Sequence, residues 1–169
     1  LDFLRTTIRN RPGEVTLLTI GPLTNVAALF AYDPEIPHLL KRLVLMAGRF
    51  RAPGQEWNVM VDPIASALVF RAAVPELLSV GLDVTLKCTM PAAEVRRRFK
   101  TPVLKAVASM AEVWFKARPE ICFHDPLAAA LVFEPRICSY ARGWIGVDIH
   151  DPHDKGTTRF MDDPRGPHL

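Results

Sequence analysis

The residues best suited to chemistry are His124 and Asp125, which directly precede Pro126. A carboxylate is a typical ligand of hard cations such as calcium or magnesium. A histidine exchanges a proton close to neutral pH and can donate it to a departing group. The same pattern has a structural interpretation, because aspartate before proline is a common helix N-cap and the histidine can be a partly buried side chain. The residues alone leave both interpretations open.

A second candidate is the segment Glu56-Trp57-Asn58, which places an acid, an aromatic ring and an amide on a polar loop over residues 49–58. The acid accepts hydrogen bonds and the amide both donates and accepts them, so the pair suits a polyol with neighbouring hydroxyl groups. The alternative is that these are ordinary side chains of a solvated loop.

A third candidate is the main-chain carbonyl of Ile20, where an apolar segment ends at Gly21-Pro22. Calcium accepts backbone carbonyls as readily as carboxylates. The alternative is a tight turn between a strand and a helix without any ligand.

The elements that would position these residues alternate between strands and helices. Short apolar segments predict strands at 15–20, 43–46, 77–80, 144–149 and 157–161. Helix formers and proline boundaries predict helices at 23–31, 63–73, 91–99, 102–117 and 126–133. This alternation predicts an α/β fold with an open, mostly parallel sheet flanked by helices. Ligands of such folds gather at the carboxyl ends of the strands, where Ile20 lies.

Length and composition limit the class of protein. The chain has 169 residues, 49% of them hydrophobic and 23% charged, which predicts one globular domain. Its apolar runs fall far short of the roughly 18 residues of a membrane helix, so no membrane partner is expected. A net charge of +3 is too small to indicate a nucleic-acid partner. Three widely spaced cysteines without a CxxC pair favour a reducing, cytoplasmic environment.

Signature motifs of several common enzyme classes do not occur in the chain. There is no GxGxxG, no phosphate-binding P-loop, no GxSxG and no HExxH. These absences argue against the commonest nucleotide-binding, serine-hydrolase and zinc-protease interpretations.

Five segments, taken in order, resemble the inosine-uridine preferring nucleoside hydrolases. They are LLTIGPLTN from Leu17, LVLMAG from Leu43, EWNVMVDP from Glu56, VGLDVT from Val80 and HDP from His124. The resemblance covers about residues 10–160. It implies a Rossmann-like α/β fold, assembly as a homo-oligomer (dimer or tetramer), and a bound calcium ion. The implied reaction is hydrolysis of the N-glycosidic bond of a ribonucleoside to free base and ribose.

The resemblance also implies a role for each candidate residue. Asp125 resembles a calcium ligand, and Ile20 matches the position whose main-chain carbonyl binds the metal. Glu56 and Asn58 resemble the pair that binds ribose hydroxyls. His124 resembles the histidine that donates a proton to the leaving base.

One acidic motif of that family, Asp-x-Asp-x-x-x-Asp-Asp, is not found in this sequence. In the family it lies near the N-terminus and supplies most metal carboxylates and the general base. We therefore expect residues 1–169 to be a single nucleoside hydrolase-like domain, truncated at both ends, that binds metal poorly and is inactive alone. The alternative is a shortened, non-catalytic paralogue that acts as a binding or scaffold protein.

Overall fold

A parallel three-stranded sheet flanked by helices organises the chain, as described by a computed structural model of residues 1–169. In order across the sheet, the strands are β1 (Thr16–Thr19), β2 (Arg42–Leu45) and β3 (Leu77–Ser79). Leu43 of β2 lies opposite Leu17 on one side and Leu77 on the other. The predicted α/β class with a parallel sheet is confirmed.

Nine α-helices accompany the sheet. They are α1 (Asp2–Asn10), α2 (Thr24–Tyr32), α3 (Ile36–Leu39), α4 (Trp57–Val61), α5 (Pro63–Phe70), α6 (Leu82–Thr85), α7 (Ala92–Arg98), α8 (Pro102–Phe115) and α9 (His124–Phe133). None of them combines the length and the apolar character needed to span a bilayer. All five predicted helices are present, whereas α1, α3, α4 and α6 were not predicted.

Two antiparallel strand pairs and one 3-10 turn complete the fold. The pairs are β4 (Thr89–Pro91) with β5 (Glu120–Cys122), and β6 (Gly143–Val147) with β7 (Thr158–Asp162); the turn spans Pro135–Ile137. The two late strands were predicted, and the β4–β5 pair was not.

Strand β2 is buried on both faces, and this fixes the layers. Leu43 and Leu45 belong to a cluster of 18 buried residues that includes side chains of α2 and α5. Val44 points to the opposite face and packs in a second cluster with Ala128 and Leu131 of α9. Because alternate side chains of a strand face opposite ways, one short apolar segment supports helices on both sides.

Helix α8 stands apart from these clusters. Only Ala111 of its 14 residues is buried. Val103 is 74% exposed and Met110 is 75% exposed, although both lie at the helical spacing that usually marks a buried face. The predicted helix is confirmed, but its apolar face contacts little of this chain.

A buried histidine joins three parts of the fold near the end of the chain. His168 Nδ1 accepts a hydrogen bond from the backbone N–H of Ile145 in β6 at 2.9 Å. Its Nε2 then carries the proton and donates to the carbonyl of Phe70, at the end of α5, at 2.7 Å. Burial lowers the pKa of His168 below its ordinary value.

The buried ring of His168 makes stability depend on pH. Since its pKa is lower in the folded chain than in the unfolded chain, the unfolded chain binds the proton more tightly. The stabilisation is complete above the ordinary histidine pKa, about 6.5, and declines as the pH falls below it. We expect the free energy of unfolding, measured with urea, to fall between about pH 7.5 and 5.5.

A His168→Gln variant is the matched control, since glutamine also donates and accepts but does not titrate. The variant should be less stable at the higher pH and should show a shallower decline. Identical pH dependence in both proteins would contradict the assignment.

Candidate active site

A cleft of about 270 Å³ lies beside the carboxyl ends of β1 and β2. The residues that line it are Ile20, Met46, Glu56, Trp57, Asn58, Leu82, His124 and Asp125. The structure thus brings together all five residues predicted from the sequence to form a site. Their chemical roles remain predictions.

The end of β1 contributes a free carbonyl. Ile20 directly follows this strand, and Met46 directly follows β2, so parallel pairing places both at the same edge of the sheet. Met46 donates its N–H to the Thr19 carbonyl at 2.9 Å, which is the last hydrogen bond between the two strands before the cleft. The Ile20 carbonyl accepts no hydrogen bond within the chain and remains available to a ligand.

Glu56 caps helix α4 and is only 3% exposed. Its Oε1 accepts from the N–H of Asn58 at 2.8 Å. Its Oε2 accepts from the N–H groups of Gly48 and Val59, each at 3.1 Å. A carboxylate has about four acceptor positions, so one remains on Oε1 for a ligand hydroxyl. The predicted loop over residues 49–58 is wrong at its end, because this cap starts α4 at Trp57.

Asn58 is held by a hydrogen bond to Met46, the residue that directly follows β2. It is buried, and its Nδ2 donates to the Met46 carbonyl at 2.9 Å. Its Oδ1 accepts no hydrogen bond from the chain, which leaves it as a fixed acceptor at the cleft. Trp57 lies at the rim and is 68% exposed.

The Asp-Pro pairs at Asp62 and Asp125 behave differently. Asp62 caps α5, since its Oδ1 accepts from the N–H of Ala65 at 3.0 Å and its Oδ2 accepts from the hydroxyl of Thr24 at 2.6 Å. The Thr24 hydroxyl, followed by the Ala65 N–H, holds the pKa of Asp62 below its ordinary value.

Asp125 does not cap a helix in this way. The N-cap position of α9 is Phe123, and no side chain caps that helix, so the capping interpretation of Asp125 is wrong. Its half-buried carboxylate forms no hydrogen bond or ion pair within the chain and lies in the first turn of α9. A helix N-terminus favours negative charge there. The carboxylate therefore lines the cleft as an uncommitted anion.

His124 is oriented by residues that the sequence analysis missed. Its Nδ1 lies 2.8 Å from the hydroxyl of Thr85 at the end of α6, and 3.9 Å from the sulfur of Cys122 in β5. Burial raises the pKa of the Cys122 thiol, which donates to the Thr85 carbonyl at 3.0 Å. Thr85 ends the VGLDVT segment, but no local pattern links it to a histidine 39 positions later.

The cleft offers the right donor type for a hard cation but too few donors. The Asp125 carboxylate and the Ile20 carbonyl are both oxygen ligands. Calcium takes about 6–8 oxygens. No group of three or more His, Cys, Asp or Glu side chains in the chain could hold a metal ion. These residues therefore fit one part of a calcium site.

The cap formed by Glu56 is expected to stabilise the fold as well as shape the cleft. A Glu56→Ala variant leaves three N–H groups without their acceptor and should lose about 1–3 kcal/mol of unfolding free energy in urea. Asp162→Ala removes an exposed carboxylate that pairs only with Arg51, and it should change stability much less. Equal unfolding midpoints in the Glu56→Ala variant and the parent would contradict this assignment.

Sequence comparison gives these residues a family context. Residues 1–167 match the family described as inosine-uridine preferring nucleoside hydrolase. The pyrimidine-specific ribonucleoside hydrolase RihA of Salmonella paratyphi B is 30% identical over 171 residues, covering 94% of this chain and 55% of that protein. The chain therefore spans about half the length of the curated relatives it matches.

Solved structures show the same likeness in three dimensions. A purine-preferring ribonucleoside hydrolase from Gardnerella vaginalis aligns with a TM-score of 0.88 at 28% identity, covering 99% of this chain and 58% of that one. The plant nucleoside hydrolase PpNRh1 aligns with a TM-score of 0.89 at 25% identity, covering 97% of this chain and 55% of that one. The sheet and its flanking helices match about half of each structure.

Proposed function

The chain belongs to the inosine-uridine preferring nucleoside hydrolase family, and we propose that, within a complete enzyme, it hydrolyses the N-glycosidic bond of ribonucleosides. The products are a free base and ribose. The observation that carries this proposal is the uncommitted carboxylate of Asp125, beside His124 in one cleft. Family membership supports the proposed reaction class, and the lining of the cleft supports the proposed residues.

The proposed cofactor is calcium, held on this chain by the Asp125 carboxylate and the Ile20 carbonyl. When bound, calcium lowers the pKa of a coordinated water and fixes the direction of attack. Support comes from the two oxygens themselves, since each lies free of protein partners at the cleft. The remaining ligands would come from residues outside this chain.

The proposed substrate contacts are made by Glu56 and Asn58. The vacant position on Glu56 Oε1 accepts one ribose hydroxyl, and the Asn58 Oδ1 accepts another. Three N–H groups hold Glu56 and the Met46 carbonyl holds Asn58, so neither acceptor reorganises when sugar binds. Such fixed acceptors favour the oxocarbenium-like ribose that forms as the glycosidic bond breaks.

The proposed role of His124 is to protonate the departing base. A base leaves more easily when its nitrogen receives a proton, or an equivalent hydrogen bond, as the bond lengthens. The relatives carry names with opposite preferences, pyrimidine-specific for RihA and purine-preferring for the Gardnerella enzyme. We therefore propose ribonucleosides as a class as the substrates.

The proposal also includes a homo-oligomer, a dimer or tetramer, in the cytoplasm. The exposed apolar face of α8 supports an assembly, because such a face is more stable when covered. The three cysteines form no disulfide, which suits a reducing compartment.

Asp125 is tested by substitution in the protein that carries this chain. We expect Asp125→Ala to lower calcium-dependent release of base from inosine and uridine by about 100-fold or more, because the metal loses a carboxylate ligand. Asp162→Ala, which removes an exposed carboxylate away from the cleft, should retain the parent rate.

Equal turnover by the Asp125→Ala variant and the parent would show that this carboxylate is not a calcium ligand. If the parent bound nucleosides but hydrolysed none at any calcium concentration, the non-catalytic paralogue would be supported instead.

The role of His124 is tested by changing the leaving group. His124→Ala should reduce kcat by about 10²–10⁴-fold for nucleosides whose base needs a proton, with the largest loss expected for purine nucleosides. A nitrophenyl riboside, whose phenolate departs without a proton, should be hydrolysed at nearly the parent rate. An equal loss with both substrate types would exclude the acid role.

A further inference from the structure

We propose that Thr85 is a positioning residue that holds the neutral imidazole of His124 in the tautomer with its proton on Nε2. The inference rests on the proposed function only in giving this tautomer a catalytic use. Its basis is the hydrogen bond between Thr85 of α6 and His124 of α9, beside the cleft.

The hydroxyl of Thr85 has a single partner. Thr85 is 0% exposed, and its Oγ1 lies 2.8 Å from His124 Nδ1. No backbone carbonyl or other side chain in the chain accepts from this hydroxyl. The backbone N–H of Thr85 is already bound to the Gly81 carbonyl at 3.1 Å, which fixes the residue at the end of α6.

The position of the ring proton follows from counting donors and acceptors. A neutral imidazole has one N–H donor and one acceptor nitrogen. If Nδ1 carried the proton, it would donate to Thr85, and the hydroxyl proton of Thr85 would have no acceptor away from water. An unsatisfied buried donor is unfavourable. The hydroxyl therefore donates to Nδ1 of His124, and Nε2 carries the ring proton.

The neighbouring thiol does not compete for Nδ1. The Cys122 sulfur lies 3.9 Å from His124 Nδ1, beyond a strong contact, and its proton is directed to the Thr85 carbonyl at 3.0 Å. Cys122 thus fixes the backbone of the threonine that orients the ring. The N–H of Phe123 also donates to the Cys88 carbonyl at 2.8 Å, which holds the chain just before His124.

The consequence is that His124 presents a donor to a ligand. Its Nε2 makes no hydrogen bond within the chain, and the residue lines the cleft. With Nδ1 committed to Thr85, the free nitrogen is the protonated one. The opposite tautomer would present a lone pair and could not donate a hydrogen bond to a base nitrogen. The neutral ring thus supplies a hydrogen bond to the departing base; full transfer of a proton would start from the imidazolium, whose Nδ1–H donates to the Thr85 hydroxyl oxygen.

The tautomer can be read directly by long-range ¹⁵N–¹H correlation spectra of the 169-residue chain, recorded where the ring is neutral. The His124 signals are assigned by their loss in a His124→Gln variant. We expect a protonated Nε2 and an unprotonated Nδ1. Thr85→Val, which keeps the branched shape without the hydroxyl, should raise the share of the Nδ1-protonated form about fivefold. Thr85→Ser should restore the parent spectrum.

A protonated Nδ1 in the parent chain would overturn the inference without any variant. Unchanged tautomer populations in Thr85→Val would overturn it as well. These measurements need no turnover, so they are independent of whether the protein hydrolyses nucleosides.

In the active protein, Thr85→Val should lower kcat for nucleosides about tenfold with little change in KM, and it should spare the nitrophenyl riboside. Rescue by Thr85→Ser is expected. An equal loss with both substrates would indicate a general packing defect and would contradict the positioning role.

Discussion

Burial of β2 on both faces is the constraint on which the rest of the structure depends. Its alternating leucine and valine side chains support α5 on one face and α9 on the other. Because α9 packs through Ala128 and Leu131, its first turn is fixed beside the strand ends. A cleft with an acid, an imidazole and a free carbonyl follows from this packing.

Some carboxylates near this edge of the sheet accept hydrogen bonds from backbone N–H groups, and others do not. Glu56 and Asp62 accept backbone N–H groups at helix starts and so stabilise the elements around the cleft. Asp125 accepts none, although it directly precedes a proline just as Asp62 does. A polar group that the fold leaves unpaired at a cleft carries more functional information than one that is merely present there.

Much of this organisation could be predicted from the sequence, because it depends on local patterns. Apolar segments located β1, β2 and β3, and the candidate residues were found at the end of β1 and at the starts of α4 and α9. The dual role of Glu56 and the pairing of Thr85 with His124 could not be found in this way. Both depend on contacts between separate elements, and a local pattern specifies neither partner. Helix α8 shows a related limit, since its periodicity predicts a buried face without naming what covers it.

The position of β1 in the sheet has a practical consequence. It pairs with β2 alone, so its other edge has no strand partner, and the Oγ1 of Thr19 at its end is buried without a hydrogen-bond partner. An unpaired edge is a template for any extended peptide that meets it, including the same edge of a neighbouring molecule. The isolated polypeptide should therefore be kept at low concentration, since dilution disfavours edge-to-edge polymerisation.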